Sequence, residues 1–561
     1  MLKRAIQDVC WWVLPEWNDI LLGPEGLPLD RWLHRGNARV VKKTSRRTVY
    51  RVELEKRTVF VKHERSGGMM RGLALRLRGS TARREFRKAS EVLRRGLRTV
   101  CPVAWGEKIR GGLVRESYLV TEAVPEAMSL DRYVSEGIGR LPKPARPAAR
   151  RRLIGALARF VAALHEGGVH HNDFHTGNML VHPEPSGVGP REAPSVTLLD
   201  LPGVRLGGPL GWRASREGLV VLCAEWWDRT NWRERFQFWR IYRDSRSRLR
   251  APGTRRILRL FARRARGYSL RVNRGRDKRA LRTNRDFVAL REAEGRAHGV
   301  RDVPEPVLRR LLHDPEALLR HHLDRPVKLS PTTLLVEAVL PLTSGPVKVA
   351  YKRCRPRGAW KAFCDWFRPN RAHRGWWFGH VLLSRGIATC RPLAMCRPSS
   401  SHDGYLATEW LEGAENLHLW ARSLSDLPAD ERMRRAARCA ESLGRLLGRM
   451  HAWRITHRDL KASNLLIRER PGSMETFVID ADAARLRRWL FRRRRAADLA
   501  RLATSIEAHP WIGLTLRYRF LRAYLAQFPI EPENTKRLWR RVARRTRRLI
   551  RRKRRRGREV L

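Results

Sequence analysis

The segment His457-Arg458-Asp459-Leu460-Lys461-Ala462-Ser463-Asn464, then the apolar run Phe477-Val478-Ile479 ending in Asp480, sets two carboxylates, an amide and an amine at close, fixed spacing. Phosphoryl transfer asks a protein for a group that orients or deprotonates the acceptor hydroxyl, oxygen ligands for Mg2+, and cations on the phosphates. Asp459 suits the first task. Asn464 and Asp480 are hard oxygen donors suited to Mg2+, which takes a few protein oxygens beside those of the phosphates. Lys461 can neutralise charge that builds on the γ-phosphate in the transition state.

The same skeleton stands earlier in the chain. His171-Asn172-Asp173-Phe174-His175-Thr176-Gly177-Asn178 keeps the Asp-to-Asn spacing, and Val196-Thr197-Leu198-Leu199 leads to Asp200. Here Asp173 takes the place of Asp459, Asn178 and Asp200 are the candidate metal ligands, and His175 replaces the lysine. Three more pairs recur in the same order: Arg95-Gly96-Leu97 with Arg385-Gly386-Ile387, Tyr118 to Glu122 with Tyr405 to Glu409, and Leu164-His165 with Met450-His451. Chance does not supply four matches in one register, so the chain reads as two homologous domains in tandem.

These residues need elements to carry them. In the first copy, 49–52, 58–62 and 118–123 alternate like strands, while 83–94 and 151–165 follow helical spacing. A small antiparallel sheet followed by a helical lobe, twice over, is an α+β arrangement. Lys62 ends a strand and Glu85 lies on the next helix, where an ion pair can hold the lysine against the α- and β-phosphates. Lys352 occupies the matching strand of the second copy, but register places Gly375 where Glu85 stands. Either another acid pairs Lys352, or this copy works without the pair, or it no longer catalyses. Glu122 and Glu409, at the ends of the repeated strand, join Lys62, Glu85 and Lys352 as nucleotide-binding candidates. The hydroxyls and cations of Lys42 to Thr48 are candidates to hold phosphates where no Gly-x-Gly-x-x-Gly loop exists. The second copy offers only Leu342-Thr343-Ser344-Gly345 before its lysine strand.

The expected boundaries are 15–300 for the first domain, 301–535 for the second and 536–561 for a basic tail. The stretch 212–310 reads as a long basic helical region. Lys plus Arg total 118 against 55 Asp plus Glu, a net charge of +63, which favours polyanionic partners such as an anionic membrane face or nucleic acid. Apolar residues at 42% exclude wholesale disorder. The eight cysteines, Cys10, Cys101, Cys223, Cys354, Cys364, Cys390, Cys396 and Cys439, form no Cys-x-x-Cys pair and point to a reducing cytoplasm. No segment reads as a signal peptide or a spanning helix. The stretch 536–558 is a basic helix with Leu538, Trp539, Val542, Leu549 and Ile550 on a sparse apolar side, suited to lipid or polyphosphate.

The loop from His457 to Asn464 resembles the catalytic loop of the protein-kinase-like superfamily, and its copy around Asp173 is similar to small-molecule phosphotransferases. The whole chain resembles the bacterial lipopolysaccharide kinases, which phosphorylate heptose or Kdo sugars of the lipopolysaccharide core. The likeness rests on Lys62 with the Arg-rich segment after it, the stretch 82–96, the His-x-Asp loops, and the closing runs around Ala497-Asp498-Leu499 and Leu516 to Tyr524. It implies two tandem bilobal protein-kinase-like domains, ATP and Mg2+ as cofactors, and a lipid-linked sugar acceptor. It also implies a cytoplasmic protein peripheral at the inner face of the membrane. The departures are the glycine-poor loops, Gly375, and Asp200-Leu201-Pro202-Gly203 in place of Asp-Phe-Gly. Two other readings stand beside it. One is a Ser/Thr protein kinase, which lacks an Ala-Pro-Glu element here. The other is an impaired tandem scaffold that binds nucleic acid or membrane by charge, which has no need of two sets of metal ligands.

Overall fold

The structure is a computed structural model that describes residues 1–55, 57–183, 194–226, 229–247, 249, 253–320, 326–356, 369–528, 533–555 and 557. The chain divides into two units, Met1–Ser269 and Leu270–Leu561.

In the first unit, β1 (Leu2–Ile6), β2 (Val9–Val13), β3 (Ala38–Lys43), β4 (Arg47–Glu53), β5 (Thr58–Arg65), β6 (Pro102–Arg110) and β7 (Leu113–Glu122) make one antiparallel sheet in the order β1-β2-β6-β7-β5-β4-β3. The two-residue period of a strand separates its faces. Val59 and Val61 of β5 are fully buried with Val52, Ala104 and Val120 in a core that also takes Trp11 and Trp17. Lys62 therefore points to the other face, in register with Leu119. The helix Thr81–Arg94 covers that face through Ala82 and Phe86, which pack on Leu119 and Trp105. Its first turn is capped by the Ser80 hydroxyl, which accepts from the Arg83 N–H at 3.1 Å.

The helical lobe follows. Its long helix runs Arg146–Glu166 and buries Leu153, Leu157, Val161 and Leu164. It starts before the expected residue 151 because Pro147 suits the first helical turn. Short strands β8 (Met128–Ser129), β9 (Val169–His171), β10 (Met179–His182), β11 (Ser195–Leu198) and β12 (Val204–Leu206) frame the polar loops, and the helices Trp212–Trp226, Trp232–Asp244 and Thr254–Asp277 complete the lobe.

The second unit repeats the plan: β13 (Phe287–Glu292), β14 (Gly295–Val300), β15 (Lys328–Ser330), β16 (Thr333–Leu342), β17 (Gly345–Cys354), β18 (Pro392–Pro398) and β19 (Gly404–Glu409) pair in the order β13-β14-β18-β19-β17-β16-β15. The helix Arg371–Leu383 stands where Thr81–Arg94 does, and Lys352 is in register with Leu406 as Lys62 is with Leu119. After β19 come β20 (Ala414–Asn416), the helix Ala429–Ala452, β21 (Ile455–His457), β22 (Leu465–Arg470), β23 (Ser473–Val478), β24 (Ala484–Leu486), and helices Arg492–Ile506, Leu514–Leu525 and Thr535–Arg554.

The structure refines the expected layout at four places. The stretch 212–310 is not helical throughout, because β13 and β14 interrupt it. The join falls near 270, within a few tens of residues of the expected 300, since β14 bonds to β18 and the buried Arg385–Asp277 pair, at 2.7 and 2.9 Å, ties Asp277 to the second unit. The first sheet begins at Leu2, ahead of residue 15, because β2 pairs with β6. The run Leu342 to Gly345 is the β16–β17 turn, where Ser344 Oγ donates to Asp302 Oδ2 at 2.7 Å. The counterpart of the β3–β4 hairpin is instead the turn between β15 and β16.

The C-terminal helix is not a detached tail. Leu538 is fully buried, and Trp539 and Val542 pack on the helical core. Glu533, just ahead of it, accepts from Arg495 at 2.9 Å and Arg541 at 2.8 Å. Leu538→Ala should therefore destabilise the second unit by about 3 kcal/mol, read as a lower urea midpoint for that unit's transition. Cys364 and the end of the expected 536–558 helix from Arg558 on lie outside the described residues.

Candidate active site

In the first unit the lysine and glutamate meet. Lys62 Nζ donates to Glu85 Oε1, and Glu85 is 4% exposed, so the ammonium is held by a buried partner. Lys88, one turn on, donates to the Pro202 carbonyl at 2.6 Å and ties the same helix to the loop after Asp200. Burial, with Arg84 adding to it, lowers the Lys88 ammonium from the ordinary lysine range.

The loop is built from the backbone outward. The Asp173 N–H donates to His171 Nδ1 at 3.1 Å, which leaves Nε2–H to face the Leu199 carbonyl at 3.4 Å. Burial lowers the His171 imidazole and keeps that neutral form. Asn178 Nδ2 donates to the Asp173 carbonyl at 3.0 Å, and the Leu199 N–H donates to the Asn178 carbonyl at 2.8 Å, which sets Asn178 beside the residue before Asp200. Asp200 has φ 57°, a left-handed conformation unusual for a residue with a side chain. Its Oδ1 is buried with no hydrogen-bond partner, and Arg47 Nη2 from the β3–β4 hairpin lies 3.7 Å away. His175 Nε2 sits 3.5 Å from the exposed Asp173 carboxylate.

The second unit has the same loop and a different lysine. Asn464 Nδ2 donates to the Asp459 carbonyl at 2.7 Å and to its Oδ2 at 3.1 Å. Lys461 Nζ is 3.6 Å from Asp459 Oδ2, where His175 stands in the first unit. The Ile479 N–H donates to the Asn464 carbonyl at 3.0 Å, and Asp480 is again left-handed at φ 56°. Lys352 Nζ, however, donates to Asp480 Oδ1 at 2.6 Å. Of the three alternatives left open for Lys352, another acid pairs it. A Cβ on Gly375 would lie 2.7 Å from Leu406 Cδ2, so no acid stands on this helix face, and Arg371 instead holds Asp482 at 2.9 Å.

Burial alone would raise the Asp480 carboxyl, but the Lys352 ammonium outweighs it and holds the group at about 2. Burial alone would lower Lys352, and Asp480 more than offsets that, holding it above the usual lysine range. The depressed carboxylate contributes stability that is present above its unfolded value of about 4 and lost as pH falls through about 2. Lys352→Met should cost the second unit about 3 kcal/mol at neutral pH. Urea unfolding at several pH values should show that difference shrinking between about pH 4 and 2.

Braces behind the loops went unassigned in the sequence. Asp498 Oδ2 accepts from the His457 N–H at 3.0 Å and stands 3.3 Å from His451 Nε2, while Ser505 Oγ accepts from the Ala462 N–H at 2.9 Å. In the first unit Gly218 takes the place of Asp498, with a Cβ there 3.5 Å from His165 Nε2, and Glu225 takes that of Ser505, accepting from the Thr176 N–H at 2.8 Å. Without the acid, burial and Arg246 hold His165 down at about 3. The signal for Asp498 was its place near the start of the helix after the strand aspartate. Glu122 does not join the Lys62 cluster: it pairs with Val59 across the sheet and its carboxylate lies 3.9 Å from Arg57. Glu409 likewise pairs with Val349, three residues before Lys352 on β17.

A buried carboxylate oxygen that accepts no hydrogen bond among the described residues fits a hard divalent cation. Among the described residues no group of three or more His, Cys, Asp or Glu side chains could hold a metal. One carboxylate and one amide suit Mg2+ that arrives with phosphate oxygens.

Comparison with known proteins bears on this arrangement. The model of the lipopolysaccharide kinase (Kdo/WaaP) family matches residues 30–260 and 365–524. The lipopolysaccharide core heptose(I) kinase WaaP of Pseudomonas aeruginosa is 28% identical over 148 residues, 26% of this chain and 54% of that protein. The protein of the same name from Escherichia coli is 30% identical over 129 residues, 23% of this chain and 47% of its own length. The chain thus spans about half the length of the curated relatives it matches. A solved structure of WaaP in complex with acyl carrier protein shares 21% identity, covering 46% of this chain and 98% of that one at a TM-score of 0.34.

Proposed function

Because the chain belongs to the lipopolysaccharide kinase (Kdo/WaaP) family, we propose that it transfers the γ-phosphoryl group of ATP to a hydroxyl of a lipid-linked sugar of the core type, and that the first unit performs the transfer. The observation that carries this reading is the division of partners. Lys62 is satisfied by Glu85 and leaves Asp200 to the looser Arg47 contact at 3.7 Å, whereas Lys352 donates to Asp480 at 2.6 Å.

In this mechanism Glu85 holds Lys62 against the α- and β-phosphates. Asn178 and Asp200 hold Mg2+, which neutralises phosphate charge when bound. Asp173 accepts the proton of the acceptor hydroxyl as its oxygen bonds to the γ-phosphorus and the bond to the β–γ bridging oxygen breaks, releasing ADP. Arg47 supplies positive charge near Asp200, and His175 stands beside Asp173. The strongly basic surface favours an anionic membrane face over nucleic acid as the setting, since a lipid-linked acceptor lies there. No helix among the described residues is long and apolar enough to cross a membrane, so association is proposed as peripheral.

Two results test the reading. ATP turnover should rise on adding host glycolipid extract, with the phosphate recovered on the sugar; phosphate on Ser or Thr of protein instead would favour the protein-kinase reading. Glu85→Gln should cost about a hundredfold in kcat/KM, because Lys62 is then free to turn onto Asp200 as Lys352 does onto Asp480. An unchanged rate for Glu85→Gln would remove the basis for choosing the first unit.

A further inference from the structure

The segment after β5 forms the helix Met69–Arg78, whose apolar side faces water. At 100° per residue, Met69, Leu73, Leu77 and Met70 share one arc of about 100°. They are 71%, 48%, 80% and 84% exposed. The underside is Gly72: a Cβ there would meet Leu113 Cβ and the Val114 carbonyl at 3.2 Å, so the helix is seated closely on β7. Arg76 and Arg78 flank the arc on its two sides, and the helix carries no acidic residue. Four large apolar side chains together in water mark a contact surface, not ordinary scatter.

The rim says what covers it. A protein partner is met by a rim of mixed polar character. An apolar arc on a helix whose own charged residues are all arginines is the pattern of a helix that lies flat at a lipid interface, its apolar side among acyl chains and its arginines at the phosphates. The surroundings extend the charge: Arg65 ends β5, and the Arg46 side chain packs against Gly67 at the entrance to the helix. We infer that the helix Met69–Arg78 is a membrane-docking element that lies on an anionic lipid surface.

The basic C-terminal helix does not compete for this role. Its apolar side is spent on its own lobe through Leu538, so it offers charge without insertion. The docking helix leads from the Lys62 strand to the Glu85 helix, and its entrance lies beside the β3–β4 hairpin. A docked chain therefore holds that cleft next to the leaflet. The inference rests on the surface alone, and its test uses no nucleotide, so its failure leaves the phosphotransfer reading standing.

The experiment is co-sedimentation of the intact chain with vesicles of phosphatidylcholine and phosphatidylglycerol, at low salt and at about 0.5 M NaCl, where purely electrostatic attraction is screened. The intact chain should stay bound at high salt, and Met70→Gln with Leu77→Gln should weaken that binding at least about tenfold with an unchanged far-UV spectrum. Leu77→Ser alone gives the same comparison if the double variant does not fold. Equal binding by variant and intact chain overturns the proposal. So does a variant that drops from dimer to monomer with vesicle binding unchanged, which would assign the arc to a second copy of the chain.

Discussion

Asp173→Ala should lower glycolipid phosphorylation by about a thousandfold, while Asp459→Ala leaves most of the rate. Asp173 is exposed at the loop's tip, its backbone fixed by His171 and Asn178. Its loss therefore removes the proton acceptor without removing a buried contact. The fall should lie in kcat and not in the KM for ATP, because the residues proposed to hold the nucleotide are Lys62, Asn178 and Asp200. Asp459 has the more familiar loop, with Lys461 beside it, yet Asp480 behind it, the candidate metal ligand, is tied to Lys352 at 2.6 Å. A catalytic loop is only as useful as the phosphate site it faces. Steady-state rates of the two variants, each with its thermal midpoint checked, give the comparison.

Asp200→Asn should weaken metal-dependent nucleotide binding about a hundredfold or more and lower transfer to match. The substitution keeps shape and removes the charge of the carboxylate whose Oδ1 accepts no hydrogen bond among the described residues. Mn2+ titrated in the presence of a non-hydrolysable ATP analogue, followed by electron paramagnetic resonance, reads this without catalysis. The intact chain should show one tight metal–nucleotide site and the variant none. Two equally tight sites in the intact chain would mean that the Lys352–Asp480 pair opens freely and that both units work.

Much of this was legible in the residues. The Lys62–Glu85 pair followed from the kinase-type pattern of a strand lysine and a glutamate on the next helix, and the loops at Asp173 and Asp459 carry their geometry in eight consecutive residues. The partner of Lys352 was not legible. It depends on the left-handed turn at Asp480 and on the space a glycine leaves against Leu406, and neither has a sequence period. The join was legible only to within a few tens of residues, because β13 and β14 hold arginine, glutamate and glycine where strands usually show β-branched residues. The C-terminal helix shows the limit of amphipathic patterns: the same sparse apolar side serves a lipid surface or the protein's own core, and here Leu538 is inside.

The central claim is that the first unit phosphorylates a lipid-linked sugar. The most direct test is one labelling experiment with γ-labelled ATP, Mg2+ and total glycolipid of the host, run side by side on the intact chain, Asp173→Ala and Asp459→Ala. Label in the glycolipid that persists in Asp459→Ala and vanishes in Asp173→Ala is the predicted result. Label that vanishes in Asp459→Ala and persists in Asp173→Ala, or that appears on protein alone, would contradict the account.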